Sequence, residues 1–237
     1  MLKLLARVIK GNSKVDNKDL PLLARYFPAI AAGASAALLE RVWVHVSKPQ
    51  KPLMLLAALH TAAESGNIGA LSWLLTQAPE PTDINFYMSL FDESGGIQER
   101  AALSGSIEAF DMVMAHAAKV NIDSMVTGGF SKNSISAGIF GVRHKHMLDH
   151  VIAACERLGG EELVKSTLRL NSVALGRAAF NKTNTPAEDG FETHFIRAIH
   201  QYLGNEWVVD AVGKVFDDQF EDEIDMVMPP QRYNALL

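Results

Sequence analysis

Three histidines crowd one stretch of this 237-residue chain: His144, His146 and His150, with Asp149 beside the last. His146 and His150 are four residues apart, so on a helix they share a face and could chelate one ion. Asp149 could supply a third ligand, while His144 would have to reach back from the preceding turn. The usual catalytic version carries a Glu beside the first His, and here Lys145 and Met147 flank His146. A structural zinc needs four ligands and a catalytic one three plus water. The cluster is therefore expected to be a solvated helix start, with no metal and no cofactor. Cys155, the sole cysteine, is the other chemical candidate. On a straight helix it lies about 13 Å beyond His146, too far to share an ion. Ile152, Ala153 and Ala154 mark its surroundings as a buried face, where a thiol is inert. His194 and His200, six apart, do not share a helical face. No G-x-x-x-x-G-K-[ST], G-x-G-x-x-G, G-x-S-x-G or H-E-x-x-H motif occurs. The glycine-rich run at 128–131 lacks a strand–loop–helix setting. No catalytic residue is assigned.

The elements that would carry any site are helical. The clearest is the stretch 59–75, LHTAAESGNIGALSWLL, which predicts two short helices joined by a turn at Gly66. Leu59, Ala62 and Ala63 form a small apolar face on the first. Ile68, Leu71, Leu74 and Leu75 recur at helical spacing on the second. Ser65 and Asn67 flank the glycine and suit a turn or a helix cap. Helices this short cannot bury their own apolar faces, so the unit needs neighbours.

A copy stands downstream at a constant offset. Ala62, Ala63, Ser65, Gly66, Ile68 and Ala70 recur as Ala101, Ala102, Ser104, Gly105, Ile107 and Ala109, without gaps. Apolar residues also pair at Leu71/Phe110, Leu74/Val113 and Leu75/Met114. The first unit resembles an ankyrin repeat: Leu59, His60, Ala62, Ala63, Gly66, Leu71, Leu74 and Leu75 match that family's signature. The family's Thr-Pro pair is replaced by Ala57 and Ala58, and the copy has Gln98 and Glu99 at the Leu-His positions. The resemblance makes His60 a structural residue of the turn. The offset exceeds the ankyrin period of about 33 and approaches the roughly 40 to 47 of HEAT-type repeats. The excess is read as an insertion around 92–97. Degenerate third and fourth units are expected at 124–158 and 172–203.

The remaining chain predicts a helix near the N-terminus, a loop over 11–19, and a helix over 20–27 that Pro28 breaks. Further helices follow over 29–46 with a turn at Gly33, over 161–170, over 191–203 with a cap at Gly204, and over 206–216. Trp43, Trp73 and Trp207 sit singly on helical faces as packing residues. Almost no alternating strand pattern occurs. The fold class expected is all-α, with antiparallel helix pairs stacked as an ankyrin-like solenoid. The domains expected are an N-terminal helical cap (1–51), the repeats (52–203), and a C-terminal helix with an acidic tail (204–237).

Hydrophobic content of 48% supports a sizeable core. A single cysteine excludes an internal disulfide and suits a reducing compartment. The formal net charge of −5 gives no case for nucleic-acid binding. Charge is uneven, since residues 1–51 hold nine Lys or Arg against three acids. No apolar run approaches the roughly 18 residues of a membrane span. Leu2, Leu5, Val8 and Ile9 share a helical face, so residues 1–10 are expected to be a capping helix; a surface anchor is the less favoured alternative. Six acids fall between 217 and 225 without the spacing of a calcium loop.

The resemblance implies a non-enzymatic protein–protein interaction module whose partner is another protein. By analogy it is a bacterial effector or antitoxin-like protein, working in its own cytoplasm or a host's. Contacts are expected at loop tips: Ser94, Gly95, Gly96, Ile97 and Gln98 in the second unit, and Ser131, Lys132 and Asn133 in the third. The alternative is a helical metal-dependent hydrolase using His144, His146 and His150.

Overall fold

The computed structural model describes residues 2–10, 15–91, 96–120, 138–180 and 187–217. Those residues are all-helical, with no strand among them. The chain divides into two compact units, Met1–Gly141 and Val142–Leu237. The division falls within the stretch expected to hold the third repeat.

In the first unit, α1 (Leu2–Ile9), α2 (Leu20–Ala24), α3 (Phe27–Ile30) and α4 (Ala36–Trp43) precede the two recognisable pairs. The sequence predicts a break at Pro28, but Pro28 instead opens α3. A proline in a first turn loses no hydrogen bond, because those N–H groups have no intrahelical partner. The first pair is α5 (Lys51–Glu64) and α6 (Ile68–Thr76); the second is α8 (Ile97–Leu103) and α9 (Ile107–Val120), with α7 (Ile84–Leu90) between them. The first helix of each pair ends, and the second begins, at equivalent positions: Glu64 and Ile68 in one, Leu103 and Ile107 in the other. The turns between them share their geometry. Gly66 has φ 64° and Gly105 φ 72°, the left-handed region open to glycine. Asn67 caps α6 by accepting from the Ala70 N–H at 3.2 Å, and Ser106 caps α9 by accepting from the Ala109 N–H at 3.2 Å. Ser35 caps α4 in the same way, accepting from the Leu38 N–H at 3.4 Å.

The pairs fit together through their small residues. Ala58, Leu59, Ala62 and Ala63 of α5 are fully buried, as are Ala101 and Ala102 of α8. Helix α5 packs on α3 and α8, while α6 packs on α4 and α9. The turns are tied as well. The Asn67 side-chain amide donates to Ala31 O (3.0 Å) and Ala34 O (2.9 Å), joining the α3–α4 turn to the start of α6. One asparagine thus satisfies two carbonyls and a helix N–H. Asn67→Ala should cost the first unit about 2 kcal/mol, from one cap and two part-buried hydrogen bonds. Asn67→Asp should not rescue it, since it keeps the cap but turns a carboxylate on two carbonyls. Thermal melts of the three proteins check the order.

The tryptophans of this unit are not isolated. Trp43 and Trp73 meet edge-on with centroids 6.4 Å apart, and Phe27 lies 4.9 Å from Trp43. This cluster joins α3, α4 and α6. His60 reaches across to α7: its Nε2 lies 3.2 Å from Leu90 O and, as the N–H tautomer, donates to the end of that helix. Helix α7 occupies part of the stretch between the two pairs, ahead of residues 92–97.

The second unit is built on α10 (Lys145–Ala179), α11 (Phe191–Leu203) and α12 (Asn205–Asp217), which pack on one another. Helix α10 breaks at Gly160 (φ 66°, ψ −165°). Across that break Cys155 Sγ comes within 3.8 Å of Thr167 Oγ1. A straight helix would hold these two residues about 18 Å apart, so the arms fold back on each other. The second arm, 161–179, is continuous, whereas the sequence predicts a helix ending at 170 and a new unit from 172. Asn171 and Ser172 do not end it because their side chains bond back along the helix, to Thr167 O (2.8 Å) and Arg169 O (3.2 Å).

Candidate functional site

The histidine cluster lies at the start of α10, where orphan N–H groups need acceptors. His144 is the N-cap residue, but its side chain does not cap. Glu188, from the segment before α11, does so instead: its Oε1 accepts from the Lys145 N–H at 2.6 Å. Its own N–H donates to Arg143 O (3.0 Å), and Lys145 Nζ donates to Asp189 O (2.9 Å). Glu188 Oε2 also lies 3.5 Å from His144 Nδ1. Residues 188–189 are thus strapped to the helix start from both sides.

The other acids of this face are engaged along α11. Asp149 Oδ1 sits 2.7 Å from His194 Nε2, and the Tyr202 hydroxyl donates to Glu156 Oε1 at 2.6 Å. That donated bond, with burial and nearby carboxylates, pushes the Tyr202 phenol up to about 12. The rings of His144 and His146 lie side by side, 5.5 Å between centroids. Among the described residues no three His, Cys, Asp or Glu side chains converge as a metal-binding group. Asp149, the third ligand that the spacing allowed, is drawn to His194, and His144 faces Glu188. Cys155 is buried, and burial pushes its thiol pKa up, against the lowering effect of the Thr167 bond.

The Lys145 N–H bond, reinforced by His144 and the Lys145 charge, holds the Glu188 carboxyl below its ordinary value. A depressed carboxyl contributes stability that is full above the ordinary value of 4.5 and is lost as pH falls through the folded one. Glu188→Gln should therefore lower the second unit's stability at neutral pH. The gap to the wild type should close on acidification below the carboxyl range, as read by urea unfolding at each pH.

The expected contact tips fare differently. Ser94, Gly95, Ser131, Lys132 and Asn133 lie outside the described residues. Gly96, Ile97 and Gln98 are buried: Ile97 packs inside the first unit, and the Gln98 amide donates to Phe91 O at 3.4 Å. A glycine pair before a helix looks like a loop tip, but here the helix begins inside the core, so these three are buried rather than exposed. Glu188, Asp149 with His194, and Glu156 with Tyr202 are missed by the sequence, because each joins α10 to a segment far along the chain and no local spacing announces it. His116 is missed too. Its ring stacks on Tyr87 at 5.9 Å, and burial, then Lys119, pushes its pKa down.

No family model matches this chain, and neither a curated protein nor a solved structure is significantly similar to it. Among the described residues no helix is long and apolar enough to cross a membrane.

Proposed function

We propose that the first unit is an ankyrin-like stack of helix pairs and that the protein is a non-enzymatic module that binds another protein. The observation that carries this reading is the turn that recurs at equivalent positions of the two pairs: a left-handed glycine at 66 and 105, a side-chain cap at 67 and 106, with α5 against α8 and α6 against α9. Such an arrangement adds units in one direction and presents a long side to a partner.

The face offered is the exposed side of α7. Ile84 and Met88 stand one turn apart and exposed, with Asp83 and Glu80 beside them. Residues 52–99 hold six acids and no Lys or Arg. The partner surface that fits is apolar with a basic rim. A buried thiol suits a reducing cytoplasm, the cell's own or a host's. The test is affinity capture from the native host with the wild type and the double variant Ile84→Asp, Met88→Asp. A binding partner lost in the variant, with the melting temperature unchanged, supports the reading. Elemental analysis of untagged protein is the counter-test: stoichiometric zinc or iron that disappears in His146→Ala, His150→Ala would instead support the hydrolase.

A further inference from the structure

The corner between α4 and α5 is built unlike the rest of the first unit. Val44 and Leu53 are the most exposed large apolar side chains among its described residues, at 72% and 69%. Val44 follows the end of α4 directly, and Leu53 stands in the first turn of α5. The corner between them is held firmly. Val46 is buried beneath it, residues Lys48–Gln50 form a 3-10 turn, and the Ser47 hydroxyl donates to Gln50 Oε1 at 2.6 Å. Pro49 and Pro52 fix the backbone further. Lys51 Nζ lies 4.6 Å from the centroid of the half-buried Trp43 ring, which ties the two ends of the corner together.

Along the chain the charge flanking these side chains has one sign, although Arg41 itself turns to the 15–17 segment, donating to Val15 O (3.1 Å) and Asn17 Oδ1 (2.9 Å). Between Glu40 and Glu64 the chain has no carboxylate, while Arg41, Lys48 and Lys51 fall within it. Glu64 closes the other end of α5, about 20 Å away along the helix, where it pairs with Arg100 at 2.7 Å. Glu40, one turn before Val44, is the carboxylate nearest the corner in sequence. Lys48 is exposed, as are Lys3, Lys10 and Arg25 elsewhere in the basic first 51 residues.

Two exposed aliphatic side chains on a firmly held corner, with a half-buried tryptophan and two lysines beside them, match the layered chemistry of a bilayer surface. The aliphatics reach below the headgroups, the indole sits at their level, and the lysines meet anionic phosphates. An acidic protein partner would match the charge, but it would be expected to receive protruding aliphatics on a groove of its own, not a flat fluid layer. We propose that the corner over 43–53 docks this protein on an anionic phospholipid surface. Residues 1–10 are not the anchor, since Val8 of their apolar face is fully buried and α1 packs on α3. This proposal does not depend on the protein-binding reading.

The test is sedimentation of the full chain with vesicles of equal parts phosphatidylcholine and phosphatidylglycerol, against phosphatidylcholine alone. The wild type should bind the anionic vesicles, be released by salt, and leave the neutral ones in solution. Val44→Ser with Leu53→Ser should weaken binding tenfold or more, through lost apolar insertion. Lys48→Glu with Lys51→Glu should weaken it roughly tenfold or more, as expected for about 1 kcal/mol per basic residue near the surface. All four positions lie outside the core, so unchanged melting temperatures show that the fold is intact. Absence of binding to anionic vesicles overturns the proposal, as does binding that both double variants leave unchanged. Capture of an acidic protein through this corner without vesicle binding also overturns it.

Discussion

Gly66→Val and Gly105→Val should each lower the melting temperature of the first unit by about 5 to 10 °C, following a loss of roughly 2 to 3 kcal/mol. Both glycines hold positive φ, 64° and 72°, where a Cβ crowds the following carbonyl and a β-branched residue is worst placed. Gly66 carries a second constraint. A Cβ built on it would stand 3.3 Å from Ser106 Cβ and 3.6 Å from Ser104 Oγ, side chains of the next turn. Gly66→Val therefore strains both its own turn and its fit to the neighbouring one. Gly66→Asn, which tolerates the left-handed region, should recover part of the loss. Melting within about a degree of wild type for both valine variants would remove the turn geometry on which the repeat reading stands.

What is legible in the sequence is local. The turn glycines, the cap at Asn67, and the helix at 191–203 bounded by Gly190 and Gly204 all follow from nearest-neighbour backbone preferences. The positive φ at Gly204, 87°, is the conformation its place after the helix predicts. What is not legible depends on partners far along the chain. Pro28 can end a helix or open one, and which it does is set by whether α3 finds α5 to pack on. Asn171 and Ser172 resemble turn residues until their side chains are seen bonding back along α10. Gly96 to Gln98 carry the composition of a loop tip, yet they are buried. The histidine face shows the same limit: spacing brings His146 and His150 to one side of a helix, but His194 and Glu188 decide what Asp149 and His144 do.

Gly141→Ala should be strongly destabilising for a change of a single methyl. Gly141 closes the 3-10 segment Ile139–Gly141, which packs on α8. A Cβ there would collide with the Glu99 carbonyl oxygen, stand 2.8 Å from the Glu99 carbonyl carbon, and 3.0 Å from the Leu103 N. These are backbone atoms of a helix, so no rotamer change relieves the overlap and one of the two segments must move away. Around it Ile97, Ala101, Ala102 and Ile139 are fully buried, so the displacement opens the core. Overpacking of this kind costs about 3 kcal/mol. Gly160 provides the control. It has positive φ, but nothing stands within 4 Å of its would-be Cβ, so Gly160→Ala should cost the second unit only the backbone strain of about 1 to 2 kcal/mol. Hydrogen exchange should place the loss in Gly141→Ala on α8 and its neighbours, and the loss in Gly160→Ala on α10. If Gly141→Ala melts no lower than Gly160→Ala, the close approach of residue 141 to α8 is wrong, and with it the end of the first unit.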